Sequence, residues 1–387
     1  MSLRSSRAVA VALVMLATFT DVVAYSVAVP VLPDLSRRMG ASPTMIGLLF
    51  ASFGVTLLGV SMPMGAASDR IGRKAPLLGG LVALAAATFL FAFGQGLPWL
   101  FAARLVQGAA DAVTWVVGLA LIADLYGPAE RGRVMGMVMS GTGFGFMVGP
   151  SLGGWLYEIG GMRLPFVMVG ALALLAAIAF AGIEIPKERA ERDRVPVAVL
   201  LRVPAVASCV AAVVAVSATL SMLEPVLPLF LSTRLGLGPA RVGFVFGIGA
   251  VVSAALHPIF GRLADRWGGR RLTLIGLVLV ACTLVLLSRA WSYPSAIGLF
   301  ALQAAMVASV ITPSLAYMAE ATSHPGAGSF GVAYGLYNVA WGTGLLGGPA
   351  LGGFLFERIG FARLALVWSP AVVIVAVLLA RAKPKSG

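Results

Sequence analysis

The sequence predicts an all-α integral membrane protein: twelve transmembrane helices in two six-helix bundles that repeat each other in parallel. Three observations predict it. Of the 387 residues, 59% are hydrophobic and only 11% charged, against about 25% charged in an average soluble domain, which excludes a soluble globular enzyme. Segments of roughly 20 apolar residues, long enough to cross a bilayer core, recur twelve times between clusters of charge, Gly and Pro. The halves also repeat. GAASDRIGRK at 65–74 returns as GRLADRWGGRR at 261–271, and GPSLGGWLYEIG at 149–160 returns as GPALGGFLFERIG at 348–360; the displacements are 196 for Asp69 to Asp265 and 199 for Pro150 to Pro349. Copies with an even number of spans share one orientation, related by an axis along the membrane normal.

Residues 1–20 begin like a secretory signal, with Arg4 and Arg7 before an apolar run. The run continues through Asp21 to Pro33 without a convincing cleavage site, so it is read as a retained first helix over 8–32. Helix 2 (44–68) stops at the charged SDRIGRK stretch, and helix 3 (74–94) stops at Gly94 and Gly96. Helix 4 (98–125) ends before Gly127-Pro128, helix 5 (131–158) before Gly160-Gly161, and helix 6 (163–184) at Glu184. Residues 186–203 (PKERAERDRVPVAVLLRV) are too polar to remain in lipid and too short for a domain, so they form a linker. The second six helices fall at 204–231, 240–263, 270–290, 292–321, 327–356 and 361–381. The expected organisation is therefore an N-terminal bundle (1–185), a cytoplasmic linker (186–203) and a C-terminal bundle (204–387).

The net charge of +13 reads as topology. With the N-terminus inside, nineteen of the 28 basic residues fall in cytoplasmic segments and eight in outer loops, leaving Arg104 alone within a span; positive loops stay in the cytoplasm during insertion. Both termini are expected in the cytoplasm of a cell inner membrane. No basic run interleaved with aromatics suggests nucleic acid. Cys209 and Cys282 lie in apolar segments and form no CxxC pair. No metal constellation, nucleophilic triad or ATP-binding GxxxxGK[ST] loop is visible, so no cofactor is expected and coupling to an ion gradient is preferred.

Gly65, Asp69, Arg70, Gly72, Arg73 and Lys74 stand at the spacing GxxxDRxGRK between helices 2 and 3. This spacing resembles the hallmark loop of the major facilitator superfamily, whose fold of two six-helix bundles around a central cavity the resemblance implies here. Physically, glycines let helix ends approach. An acid flanked by fixed cations can make charge-assisted bonds that exist in one arrangement of the bundles only. Asp69 and Arg73 are expected as a conformational latch, with a weaker copy at Asp265, Arg266 and Arg270; alternatively the cations only enforce topology. In helix 5, Gly141, Gly145, Gly149, Pro150, Gly153 and Gly154 place small residues on one face around a proline, permitting close packing and a bend. Helix 11 repeats the pattern at Gly344, Gly348, Pro349, Gly352 and Gly353. It resembles the antiporter motif of exporters in this superfamily, against a plain reading of tight packing.

Ionisable side chains at bilayer depth cost at least about 2.5–3.5 kcal/mol on insertion scales and need a reason. Asp21 lies near the middle of helix 1, where a carboxyl wetted alternately from each side can hold a proton when empty and lose it when a cation binds. The competing reading is a packing acid bonded to a neighbouring hydroxyl. Helix 4 places Arg104, Gln107, Gly108 and Asp111 on one face. RLVQG resembles the superfamily's helix 4 motif, whose arginine is linked to proton coupling; Asp111 lies outside that motif. Glu224 precedes Pro225, where a kink would free backbone carbonyls. Aligning PVLP at 30–33 with PVLP at 225–228 sets Glu224 about 12 Å nearer the outer face than Asp21, as a second station on the path or an acid satisfied at the helix end. Asp124 and Glu320, with Arg131 and Arg133, either close the cytoplasmic side or form surface ion pairs. His257 suits proton work but is read first as a hydrogen-bonded packing residue. Among the aromatics Tyr25, Trp115, Phe144, Tyr334, Tyr337 and Trp341, only Tyr337 and Trp341 are singled out as faces for a cation. Tyr25, Gln107, Tyr337, Asn338 and Trp341 are expected to line the cavity.

Within the superfamily, several segments are most similar to the vesicular amine transporters and their bacterial drug:proton antiporter relatives. They are Asp21 before VPVLP, GPAERGRVMGM (127–137), GPSLGGWLYE (149–158), MLEPVLPLF (222–230) and YNVAWGTGLLGGPALGG (337–353). The resemblance implies that Asp21 partners a substrate amine, that Glu224 assists, and that Glu320 occupies the helix 10 acid position. Two departures stand out: Phe53 replaces a helix 2 lysine, and Asn338 replaces a helix 11 aspartate. The expected function is a proton-coupled antiporter, acting as a monomer in the bilayer, that exports lipophilic cationic small molecules by alternating access. The rivals are an exporter of neutral metabolites such as sugars and a non-transporting sensor of the same fold.

Overall fold

The structure, a computed structural model, describes residues 3–182, 203–321 and 330–381, and within them every regular element is helical. Ten described helices are long and apolar enough to cross a membrane. The last of these turns at Gly360, whose φ of 72° separates helix 11 from helix 12 within Phe330–Arg381. Helix 5, Pro128–Gly160, is long enough but falls outside that set because its glycines dilute its apolar content. These elements make twelve spans. Helices 2, 3, 4 and 6 are Pro43–Ile71, Lys74–Phe93, Leu97–Leu125 and Arg163–Ala181; helices 7 to 10 are Pro204–Leu235, Pro239–Trp267, Gly269–Leu287 and Tyr293–Ala321. The expected linker lies outside the described residues except for Val203.

Helix 1 departs from expectation. It runs Leu3–Ser26, then continues as a 3-10 turn, Val29–Val31, and a short helix, Leu32–Met39, where a loop was expected. Pro30 and Pro33 have no N–H to return to the preceding turn, and Val31 instead donates to the Ala28 carbonyl at 3.2 Å, a tighter i to i−3 bond. The same PVLP at 225–228 lies within the continuous helix 7. Glu224 therefore stands within helix 7, immediately before a proline that has no N–H to return to the preceding turn.

Two compact units emerge. One comprises Met1–Ala41, Ser52–Glu191 and Gly238–Gly247; the other comprises Ser42–Ala51, Arg192–Leu237 and Ile248–Gly387. In the first, helix 1 packs on helix 5, and helix 3 on helices 4 and 6; in the second, helix 7 packs on helix 11, and helix 9 on helices 10 and 12. Each unit takes the first turns of one helix from the other half of the sequence, for a steric reason. In the first unit, a Cβ on Gly243 of helix 8 would strike the Pro150 carbonyl, and one on Gly154 the Pro239 carbonyl. Glu158 accepts the Ala240 N–H at 3.1 Å. The second unit repeats this with Gly47 on the Pro349 carbonyl, Gly353 on the Pro43 carbonyl, and Glu357 accepting the Thr44 N–H at 2.9 Å.

The interiors are aliphatic. Val14, Leu77, Val117, Leu121 and Phe180 centre one cluster; Val216, Leu277, Val280 and Val310 centre another. Large apolar side chains such as Met62, Leu175, Ile178, Val367 and Ile374 point outward, an exposure that a lipid solvent makes favourable. Exposed Trp99, Trp155, Trp267 and Trp291 sit at helix ends, where amphipathic rings meet the membrane–water interface.

Gly153 permits a close approach of helix 5 to the end of helix 1, because a Cβ there would collide with the Val27 carbonyl, whereas Gly143 has no atom within 4 Å of such a Cβ. Gly153→Ala should destabilise the protein by about 1–3 kcal/mol and lower its thermal unfolding midpoint in detergent. Gly143→Ala should leave that midpoint unchanged or raise it.

Candidate functional site

Helix 4 presents Arg104, Gln107, Gly108 and Asp111 on one face, as their spacing requires, and all four are buried. Gly108 has no side chain because helix 2 crosses there: a Cβ would collide with the Phe53 carbonyl oxygen, and Thr56 donates to the Leu105 carbonyl at 2.7 Å. The opposing strip belongs to helix 1. Asp21, 1% exposed, meets Asp111, 9% exposed. The two carboxyls lie within hydrogen-bonding reach of each other, and the Trp115 indole bonds to both. The Oδ2 of Asp21 and the Oγ1 of Thr20 are buried with no hydrogen-bond partner among the described residues. The alternative in which Asp21 is a packing acid bonded to a hydroxyl does not describe this arrangement. Trp115 was legible only as one aromatic of several. Its signal was its position four residues after Asp111, which puts the indole one turn along the same face.

Arg104 is fully buried. Its guanidinium extends to helix 1, donating to the Tyr25 carbonyl at 3.3 and 3.4 Å and to Gln107 Oε1 at 3.3 Å. It also lies 5.2 Å from the Tyr25 ring centroid and 5.3 Å from that of Phe91. Such faces attract a desolvated cation. Gln107 passes the network to helix 3, where its Nε2 donates to Thr88 Oγ1 at 3.4 Å. Phe53, at the position of the missing lysine, is buried with its ring 4.7 Å from that of Tyr25.

In the second unit the expected residues are more dispersed. Glu224 is half-buried on helix 7. Tyr337 is buried in an apolar cluster with Val213, Met318 and Leu336, and its hydroxyl pairs with Ser314 Oγ at 3.1 Å, so its ring serves packing rather than an open cation face. Trp341 is half-buried against the same cluster, and Asn338 is exposed. His257 sits between two hydroxyls, with Nδ1 2.7 Å from Thr312 and Nε2 3.4 Å from Ser253. This matches its reading as a hydrogen-bonded histidine. Tyr334 has no described side chain.

The two loop copies differ. In the first, Arg73 bonds Asp69 at 2.7 Å and Asp124 at 2.8 Å, and its Nη1 donates to Ser68. Burial works against its charge, but the bonds to Asp124 and Asp69 outweigh it and hold the guanidinium above its ordinary value. Asp124 is thus bonded by Arg73, a partner not expected for it; the side chain of Arg131, with which it was grouped, is outside the described residues. Lys74 donates to the Ala181 carbonyl ending helix 6. In the second copy Arg270 donates to the Leu379 carbonyl near the end of helix 12 at 2.8 Å, so Arg270 repeats Lys74, not Arg73. Gly269 occupies the Arg73 position, and Glu320 accepts its N–H at 3.4 Å. Asp265 and Arg266 are exposed, as is Arg70. Gly72 and Gly268 reach φ of 89° and 85° in the two turns, a backbone that favours glycine. Gly65 lies 3.3 Å, by its would-be Cβ, from Val116 on helix 4.

The paired glycine faces hold two helix pairs together. Gly145, Gly149 and Gly153 abut Val22, Ser26 and Val27 of the helix 1 segment, and Gly344, Gly348 and Gly352 abut Ser217, Ser221 and Met222 of helix 7. The contacts repeat from one unit to the next.

The sequence model of the family described as Major Facilitator Superfamily matches residues 14–223 and 209–387. The chromaffin granule amine transporter of Homo sapiens is 30% identical over 330 residues, covering 84% of this chain and 62% of that protein. The synaptic vesicular amine transporter of Homo sapiens is 28% identical over 341 residues, covering 85% and 65%. The vesicular acetylcholine transporter of Rattus norvegicus is 29% identical over 337 residues, covering 83% and 62%. The matched region thus spans less than two thirds of each of these relatives. In fold, the chain is similar to an inward-facing, unoccupied crystal structure of a bacterial homologue of the human lysosomal transporter Spinster, with a TM-score of 0.80, 16% identity, and 97% of this chain and 96% of that chain covered.

Removing Arg73 would break its bonds to Asp69 and to the Asp124 carboxylate, whose side chain is 4% exposed. Arg73→Ala should cost up to about 3 kcal/mol, and exposed Arg266→Ala within about 0.5 kcal/mol. Thermal unfolding of the two variants in the same detergent checks the difference.

Proposed function

Because the chain belongs to the Major Facilitator Superfamily, we propose that it is a proton-coupled antiporter that exports lipophilic cationic small molecules by alternating access. The observation that carries this reading is the Asp21 carboxyl, buried in helix 1 with one oxygen lacking a partner among the described residues. A buried oxygen in that condition costs desolvation free energy until a donor arrives. A proton or an ammonium N–H would satisfy that oxygen, and any organic cation would match its charge; competition between proton and cation is antiport chemistry. The relatives named for amine and acetylcholine transport support a cationic cargo.

In this reading Asp21 is the primary exchange site, Asp111 its partner, and Glu224 a second station on the path. Arg104 is a fixed positive charge that couples proton occupancy to helix 1 through the Tyr25 carbonyl, with Gln107 bracing it against helix 3. Asp69, Arg70 and Arg73 hold one arrangement of the bundles, Asp265, Arg266 and Arg270 contribute more weakly, and the glycine faces of helices 5 and 11 serve exporter geometry. The moving bodies are 1–185 and 204–387, joined by 186–203. The protein works as a monomer in a cytoplasmic membrane, with both termini and the latch loops facing the cytoplasm.

Asp21→Asn should insert and fold, yet in proteoliposomes its pH-gradient-driven uptake of a lipophilic amine should fall to that of protein-free liposomes. Undiminished gradient-driven flux would remove Asp21 from the mechanism. Since cation and proton compete, affinity should rise with pH, by up to about tenfold per pH unit where one proton is displaced. Equilibrium binding of a permanently charged cation between pH 5 and pH 9 measures that slope.

A further inference from the structure

Asp111 lies outside the motif that marks helix 4, yet the fold sets it against Asp21 with Trp115 bonded to both. Two carboxylates have only acceptors to offer each other; a hydrogen bond between them exists when one carries a proton. Here the two carboxyls are 1% and 9% exposed, so two negative charges side by side would be poorly solvated. Asp21 Oδ2 is then a fully buried acceptor of the pair that no described neighbour fills.

Among the described residues, no other acid acts on the pair. Helix 4 contributes Arg104, held two turns away by the Tyr25 carbonyl and Gln107, and Asp124 near its far end, held by Arg73. Helices 5 and 6, which pack on helix 1, carry titratable side chains only near their ends: Glu130, Arg131, Arg133, Tyr157 and Glu158 on helix 5, and Arg163 on helix 6. Helix 3 adds Lys74 at its start, and helix 1 itself adds Arg4, Arg7 and Tyr25.

We propose that Asp21 and Asp111 act as one exchange unit that holds a single shared proton when empty and surrenders it to a monovalent organic cation seated on Asp21 Oδ2 beside the Trp115 ring. This rests on the antiport reading above and deepens it. The exchange balances: the pair with one proton carries a charge of −1, and the dianion with one monocation also carries −1, the displaced proton leaving to water. The exchange at this site is one for one and electroneutral, so the absent helix 2 lysine and helix 11 aspartate are not needed for it. Trp115 is a positioning residue that donates to the carboxyl oxygens in both states.

Two measurements on the full-length protein in detergent test this. Infrared spectra of the ligand-free protein near pH 7 should show a protonated-carboxyl band that is lost in both Asp21→Asn and Asp111→Asn, since an amide in place of either acid supplies the hydrogen without a shared proton. A band that persists unchanged in Asp111→Asn overturns the shared proton. Tetraphenylphosphonium added to weakly buffered wild-type protein should release about one proton per bound cation. Asp111→Asn should still bind the probe but release at least several-fold less. Equal release from Asp111→Asn removes Asp111 from the unit. A shared-proton band without release on cation binding instead overturns the exchange step, and with it the antiport reading. Trp115→Phe should retain the band but shift its frequency; an unchanged frequency would remove the indole from the pair.

Discussion

The hydrogen bond between two buried carboxyls, one from helix 1 and one from helix 4, is the contact on which the functional interpretation depends. In an aliphatic bundle an isolated carboxylate is expensive, and a second one beside it more so. Sharing a proton reduces the charge to be solvated from two to one, and the Trp115 indole supplies a fixed donor to what remains. A site with these properties has a strong preference for net charge and a weak preference for the source of the compensating hydrogen. That is a suitable arrangement for exchanging a proton for a cation.

Close packing of the backbone makes the contact possible. Glycines of helix 5 bring it against helix 1, and Gly108 brings helix 4 against helix 2. Between helices 4 and 1 themselves, Gly118 leaves room for Val14, 3.2 Å from its would-be Cβ. Arg104 adds a second tie between helices 4 and 1 through the Tyr25 carbonyl. The acids, the arginine and the small residues form one construction: small residues help set the spacing of the helices, and the spacing decides which charges meet.

The two units repeat their scaffolding more faithfully than their chemistry. Contacts of the glycine faces, the capping of helix starts by Glu158 and Glu357, and the helix-end bonds of Lys74 and Arg270 recur. The charged elements do not. Gly269 stands at the Arg73 position, so Glu320 accepts a backbone N–H where Asp124 accepts a guanidinium. Phe300 stands 196 residues beyond Arg104. Gln107 and Gln303, 196 residues apart, both bond a threonine of the neighbouring helix, Thr88 and Thr283. Packing constrains both halves alike, whereas one buried exchange unit requires only one set of ionisable groups.

Composition, segment length and the 196-to-199 displacement by themselves determined the helical class, the number of spans and the repeat, because lipid leaves the backbone few alternatives and a period is visible without coordinates. Spacing also determined that Arg104, Gln107, Gly108 and Asp111 share a face. The tertiary structure decided which element that face meets. A helical wheel gives direction within one helix but not the register of two, so the pairing of Asp111 with Asp21, the recruitment of Trp115 and the capture of Asp124 by Arg73 were not legible. The same limit explains helix 1, where identical PVLP segments break one helix and not the other, and Tyr337, whose ring turned inward to Ser314. Local sequence states what a residue can do, and long-range packing selects the partner with which it does it.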